Sequence, residues 1–175
     1  MSNAFLEIRD LKTHFPVESG LFFRKETGRV RAVDNVSFTV PQNKTVALVG
    51  ESGSGKTVIS QTIMGLLPPA AEIAAGKVVL TDPDGSEPPV DIATLDRKGP
   101  KMRHLRGNRV AIIFQEPMTS LSPLHTIGDQ IGEAALLHRN VSSAEARELT
   151  KTMLSLVQFP DPERALDTYP FELSG

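Results

Sequence analysis

Apolar and polar positions alternate early in the chain and later change period. In Val36–Val40 (VSFTV) every second residue is apolar, the period of a strand with one covered face, and Pro41 and Asn43 follow as turn residues. Phe5–Leu11 (FLEIRDL) carries a weaker version of the same pattern. Between them, Pro16–Arg29 (PVESGLFFRKETGR) holds two glycines, a proline and mixed charge, and predicts a loop. Phe22 and Phe23 are its odd feature, read as a buried tip more readily than as a partner contact. Thr45–Gly50 (TVALVG) is an unbroken apolar run closed by glycine, as for a strand covered on both faces. Beyond it, Ile59, Ile63, Leu66 and Leu67 fall at i, i+4, i+7 and i+8, one face of a helix that Pro68-Pro69 stops.

Lys77–Leu80 predicts another strand, Thr81–Pro89 (TDPDGSEPP) a loop, and Arg109–Pro117 (RVAIIFQEP) a buried strand running into Gln115. From there the period is helical. Ile127, Ile131 and Ala135 share a face, and Ser142 with Glu145 forms a capping box ahead of Leu149, Met153, Leu156 and Val157. Asp161-Pro162 starts a further short helix. The layout is an antiparallel β part, a β–loop–α unit, then a helical part.

Composition narrows the class. The chain has 175 residues, 39% hydrophobic and 23% charged, which suits a globular fold with a real core. Net charge is −2 with no block of like charges, which argues against nucleic acid as a main partner. There is no cysteine, which excludes disulfides and thiolate metal sites, and His14, His104, His125 and His138 lack close ligand spacing. Apolar runs such as Val110–Phe114 are far short of the ~20 residues that span a bilayer, and the first residues lack a charged-then-apolar signal pattern.

Gly50-Glu51-Ser52-Gly53-Ser54-Gly55-Lys56-Thr57 matches the P-loop pattern G-x-x-x-x-G-K-[ST], with the required strand predicted before it and helix after it. Glycines let the backbone turn at positive φ and bring N–H groups against phosphate oxygens. The helix N-terminus faces the same anion. Lys56 would reach the β- and γ-phosphates, and the Thr57 hydroxyl would ligate Mg²⁺. The pattern points to nucleotide binding; it does not name a reaction, since kinases, GTPases and motor ATPases share it.

The surrounding residues add a resemblance. Ala32–Thr57 (AVDNVSFTVPQNKTVALVGESGSGKT) resembles ATP-binding subunits of ABC transporters, Val110–Thr126 (VAIIFQEPMTSLSPLHT) resembles that family's Q-loop region, and Tyr169–Gly175 (YPFELSG) the approach to its LSGGQ signature. The three come in family order. GESGSGK and FQEPMTSLSP look most like the branch serving dipeptide and oligopeptide importers, with SLSPLHT and LLHRN leaning toward peptide-antibiotic uptake.

The resemblance implies an α/β P-loop NTPase of ABC type: an antiparallel β subdomain plus a partial parallel sheet core, followed by a helical subdomain. Residues 1–115 would form the nucleotide-binding core and 116–175 the α-helical signature subdomain. It implies ATP and Mg²⁺ as cofactors. Gly50, Ser52, Gly53, Ser54, Gly55, Lys56, Thr57 and Val58 would hold the nucleotide, Phe15 would stack on adenine, and Lys56 and Gln115 would serve catalysis. Thr57 and Gln115 would touch Mg²⁺, and Ser174 and Gly175 would meet ATP held by a second ATP-binding subunit. Phe171 sits where many relatives carry His or another polar residue. Other partners implied are transmembrane permease subunits and, indirectly, a periplasmic or extracellular peptide-binding protein, with the subunit peripheral on the cytoplasmic face of the membrane.

The family also needs an apolar strand ending in Asp, a general-base Glu and a switch His, none of which precedes Gly175. The expectation is an N-terminal part of an importer ATPase, ending inside the signature, that binds ATP and hydrolyses it poorly or not at all. A non-hydrolysing nucleotide-binding module is the alternative. Val46–Val49 is expected to face an open sheet edge with apolar groups exposed. A P-loop small-molecule kinase would need phosphate-facing arginines; Arg103, Arg106 and Arg109 are the candidates, and a solvated basic helix explains them more simply. A soluble ABC protein working on ribosomes or DNA repair fits the Q-loop region less well.

Overall fold

The computed structural model describes residues 4–19, 25–114 and 120–173. The chain divides into two compact units, Met1–Arg106 and Gly107–Gly175.

The first unit is built on a long hairpin. β1 (Ala4–Ser19) and β2 (Lys25–Pro41) pair antiparallel from Ala4 opposite Pro41 to Ser19 opposite Lys25. β3 (Glu72–Leu80) pairs with β1, and β4 (Val90–Asp91) with β3, giving the order β2-β1-β3-β4, antiparallel throughout. The two-residue period of Phe5–Leu11 breaks at a bulge, with Asp10 at φ 47. One residue of slip there lets Leu11 and Thr13 follow Leu6 and Ile8 to the buried side.

α1 (Lys56–Ile63) lies against β2 and against a 3-10 turn, Ile92–Thr94, and buries Ile59 and Thr62. The Thr62 hydroxyl donates to Val58 O at 2.7 Å and stands 3.4 Å from the Thr13 hydroxyl. The shorter contact satisfies the buried polar group; the longer is packing. α2 (Pro100–Leu105) buries Met102 and Leu105 and exposes Lys101, Arg103 and His104.

In the second unit α3 (Ile127–His138), α4 (Ser143–Leu156) and α5 (Pro162–Ala165) follow the helical pattern. Ile127, Leu154, Ala165 and Leu166 form its core, with Leu121, Ile131, Phe159 and Leu173 packed against it. Each helix has a side-chain N-cap: Thr126, Ser142 and Asp161 accept from Asp129, Glu145 and Arg164 N–H. The Ser142–Glu145 capping box is present.

Several expected elements differ. Most of the predicted loop Pro16–Arg29 is hairpin, with Phe15 opposite Val30 and Val17 opposite Gly28; Phe22 and Phe23 lie outside the described residues. Pro16 is tolerated because the β1–β3 ladder ends at His14–Glu72, leaving β1 a neighbour on one side only. α1 stops at Ile63, earlier than Pro68, for a reason given below. Thr45–Gly50 and Val110–Phe114 form no ladder. An apolar strand of the parallel kind needs neighbours beside it and cover on both faces. Among the described residues neither run has them, and Val49 and Ile113 are 90% and 94% exposed.

Candidate nucleotide-binding site

The P-loop residues come together between the end of the apolar run and the first turn of α1. Gly53 and Gly55 both stand at positive φ, 80° and 90°. Gly55 is the pivot. A Cβ there would lie 2.3 Å from Ala32 O, so the loop can rest on β2 only because this residue has no side chain. Gly50 faces inward: a Cβ on it would stand 2.5 Å from Ser54 Oγ and 4.0 Å from Lys56 Nζ, filling the hollow of the loop. Lys56 Nζ reaches across that hollow, donating to Gly50 O at 2.9 Å and Glu51 O at 2.8 Å, with Ser54 Oγ at 3.3 Å. The ammonium is thereby held over the loop rather than extended into water.

The helix that follows leaves its N-terminus for something else. Its N-cap is Gly55, which makes no side-chain cap, and no acidic residue lies in the first turn. The first turn of any helix carries N–H groups with no intrahelical acceptor, and the first intrahelical bond here is Ile59 N–H to Gly55 O. α3, α4 and α5 answer the same need with side chains; α1 does not. Positive backbone ends and a lysine ammonium on a glycine-rich loop together fit a polyphosphate. Thr57 is exposed in that first turn and Ser52 in the loop before it, while Val58 is half-buried and gives its carbonyl to Thr62. Thr57 therefore stands where its hydroxyl can serve a cation bound to that phosphate. Among the described residues no cluster of three or more His, Asp or Glu side chains is placed to hold a metal.

Phe15 is half-buried on β1, two residues beyond Thr13, whose side chain touches Thr62 of α1. The β1–β2 register shifts between Thr13 and His14, so the alternation that buries Thr13 does not carry over to Phe15. Gln115, Ser174 and Gly175 lie outside the described residues. Phe171 is exposed and stacks on Tyr169, ring centroids 5.5 Å apart.

Two residues escaped the reading of the site. Arg106, read from sequence as part of a solvated basic helix, is half-buried and donates to Met64 O and Gly65 O just past α1. Arg97 donates to Leu67, Pro68 and Ala71 carbonyls on the same segment. No local pattern marks such residues, because their acceptors lie more than twenty positions away along the chain.

Comparisons with known proteins show the family and the fold. The family model described as ABC transporter matches residues 33–175, and the chain belongs to that family. The dipeptide transport ATP-binding protein DppD of Bacillus subtilis is 46% identical over 149 residues, 85% of this chain and 42% of that protein. The oligopeptide transport ATP-binding protein AppD of the same organism is 41% identical over 173 residues, 99% of this chain and 48% of that protein. The chain spans about half the length of the curated relatives it matches, 47% for each of the first two. The dimeric post-hydrolysis structure of the ATP-binding cassette MJ0796, bound to ADP and Pi, superposes with a TM-score of 0.73. That match covers 97% of this chain and 63% of that one at 19% identity, a likeness of fold. The fold is the α/β P-loop NTPase fold of ABC cassettes.

Proposed function

We propose that this chain is the nucleotide-handling part of an ATP-binding subunit of an ABC importer for peptides, coupling ATP binding and hydrolysis to uptake. The observation that carries the reading is the Lys56 ammonium held over the hollow of an uncapped P-loop. Family membership and the names of the relatives supply the transport context. On this reading residues 1–115 bind ATP with Mg²⁺ through Gly50, Ser52–Val58 and Phe15, and residues 116–175 form the signature subdomain. Gln115 serves Mg²⁺ and the attacking water, and Ser174 and Gly175 meet the nucleotide of a second ATP-binding subunit. Permease subunits are the membrane partners, a periplasmic or extracellular peptide-binding protein acts through them, and the protein sits peripherally on the cytoplasmic face. No helix among the described residues is long and apolar enough to cross a membrane, which suits a peripheral place.

The test is a titration with a fluorescent ATP analogue. Lys56→Ala removes a hydrogen bond to charge worth about 1.5–3 kcal/mol, so affinity is expected to fall about 10- to 100-fold. Equal binding by wild type and variant overturns the phosphate-cradle assignment. Steady-state phosphate release, measured beside affinity, separates a hydrolysing subunit from a module that only binds.

A further inference from the structure

The helix that carries the phosphate site is tied at its far end by the two arginines. α1 closes in a Schellman turn: Leu66 N–H donates to Gln61 O at 2.8 Å, and Gly65 N–H to Thr62 O at 3.0 Å, with Gly65 at φ 60. This turn, ahead of the prolines, is what ends the helix. It leaves the carbonyls of Met64 and Gly65 pointing past the helix end, where water or a side chain must meet them. Arg106 takes both, Nε to Met64 O at 2.8 Å and Nη2 to Gly65 O at 3.2 Å. Arg97 takes the carbonyls that follow, Nη1 to Leu67 O at 3.4 Å and Pro68 O at 3.3 Å, Nη2 to Ala71 O at 2.8 Å. The pair interlocks through Arg106 Nη2 and Arg97 O.

Gly65 makes the fit possible. A Cβ there would stand 3.2 Å from Arg106 Nη2 and 3.1 Å from Met102 Cε. Two further points give the clamp a consequence beyond local order. α1 has only eight residues, about 12 Å of helix, too short to hold its own place in water. A shift at its C-terminal end is therefore felt at Lys56. The Arg106 guanidinium also stands at the negative end of the helix dipole, where a cation is favourable. The guanidinium fork grips several carbonyls at once, which an ammonium cannot do.

We propose that Arg97 and Arg106 are positioning residues for polyphosphate binding, acting through α1 on Lys56 and the first-turn N–H groups. The proposal rests on the nucleotide reading above and assigns neither arginine a contact with ligand.

The experiment measures Kd for ATP and for inorganic triphosphate in the full chain, with wild type, Arg106→Gln, Arg106→Lys and the milder Arg97→Lys. Melting curves fix a temperature at which each is folded. Arg106→Gln is expected to weaken both ligands by the same factor, about 3- to 10-fold, the scale of a helix-terminus charge effect. Arg106→Lys and Arg97→Lys keep the charge, lose the fork, and should fall between. A purely structural role lowers the melting temperature and leaves both Kd values at the wild-type level; that result overturns the proposal. If Arg106→Gln does not fold, Arg97→Lys decides by the same comparison. Wild type that binds neither ligand overturns the nucleotide reading itself, a separate failure.

Discussion

On the proposed function Lys56 and Phe15 would divide the nucleotide between them, and the division can be measured. Lys56 sits over the loop hollow, where only phosphate charge interests it. Phe15, half-buried on β1, offers an aromatic ring and no charge. If it stacks on adenine, Phe15→Ala should weaken ATP about 5- to 100-fold, since stacking of a base on an aromatic side chain is worth about 1–3 kcal/mol. Inorganic triphosphate, which has no base, should bind the variant as it binds wild type. Calorimetric titration of both ligands reads the difference, and equal losses would reduce Phe15 to a packing residue. The P-loop was legible in the sequence because each of its parts is local: the glycines, the lysine and the helix lie within a few residues. Arg106 was not, because what separates a solvated arginine from a clamp is the position of Gly65, 41 residues away.

At the scale of elements, end chemistry decided more than period. The capping box at α4 could be read directly from Ser142 and Glu145. The structure makes it reciprocal: Ser142 N–H donates to Glu145 Oε2 at 2.8 Å, and Glu145 N–H returns to Ser142 Oγ at 3.3 Å. The Ser142 N–H first, and second the Ser142 hydroxyl, which donates to Glu145 Oε2 at 2.7 Å, hold the Glu145 carboxyl below its usual 4.5. The guanidinium of Arg147 likewise holds Asp167 below its usual 3.8. Both pKa values are depressed in the folded state, so the contribution is complete above the ordinary carboxylate values and lost as pH falls through the folded ones. Acid titration followed by far-UV circular dichroism should therefore show the helical unit weakening as pH drops below about 4.5. Glu145→Gln should be less stable than wild type at neutral pH and show a shallower loss on acidification. Identical acid profiles would mean the box adds nothing. Where glycine, proline and charge were read as a loop, at Pro16–Arg29, and where the period was followed to Pro68, at the end of α1, the elements came out differently. Turn-type residues can lie within a long hairpin, and one αL glycine stops a helix before any proline can.

For the molecule as a whole, the order of motifs identified the fold class, while the parallel sheet expected within it did not follow from the same residues. The sequence of Thr45–Gly50 and of Val110–Phe114 states that each wants burial; it does not state what provides it. In the first unit Val46, Leu48 and Val49 are exposed, and in the second Ile113 and Phe114 are. Adjacent apolar residues on an unpaired extended run attract other chains, because unmet backbone groups and uncovered side chains are offered together. The 175-residue chain is therefore expected to bind a dye sensitive to apolar surface more strongly than a closed domain of its size, and to scatter more light as concentration rises. Val49→Ser with Ile113→Ser should lower both signals, since among the described residues these are the most exposed large apolar side chains, 90% and 94%. Neither substitution touches a buried side chain, so the melting temperature should hold within about 2 °C, the shift expected of about 0.5 kcal/mol. A monodisperse wild-type chain with no dye signal would mean that both runs are covered in solution by contacts the folded chain makes for itself.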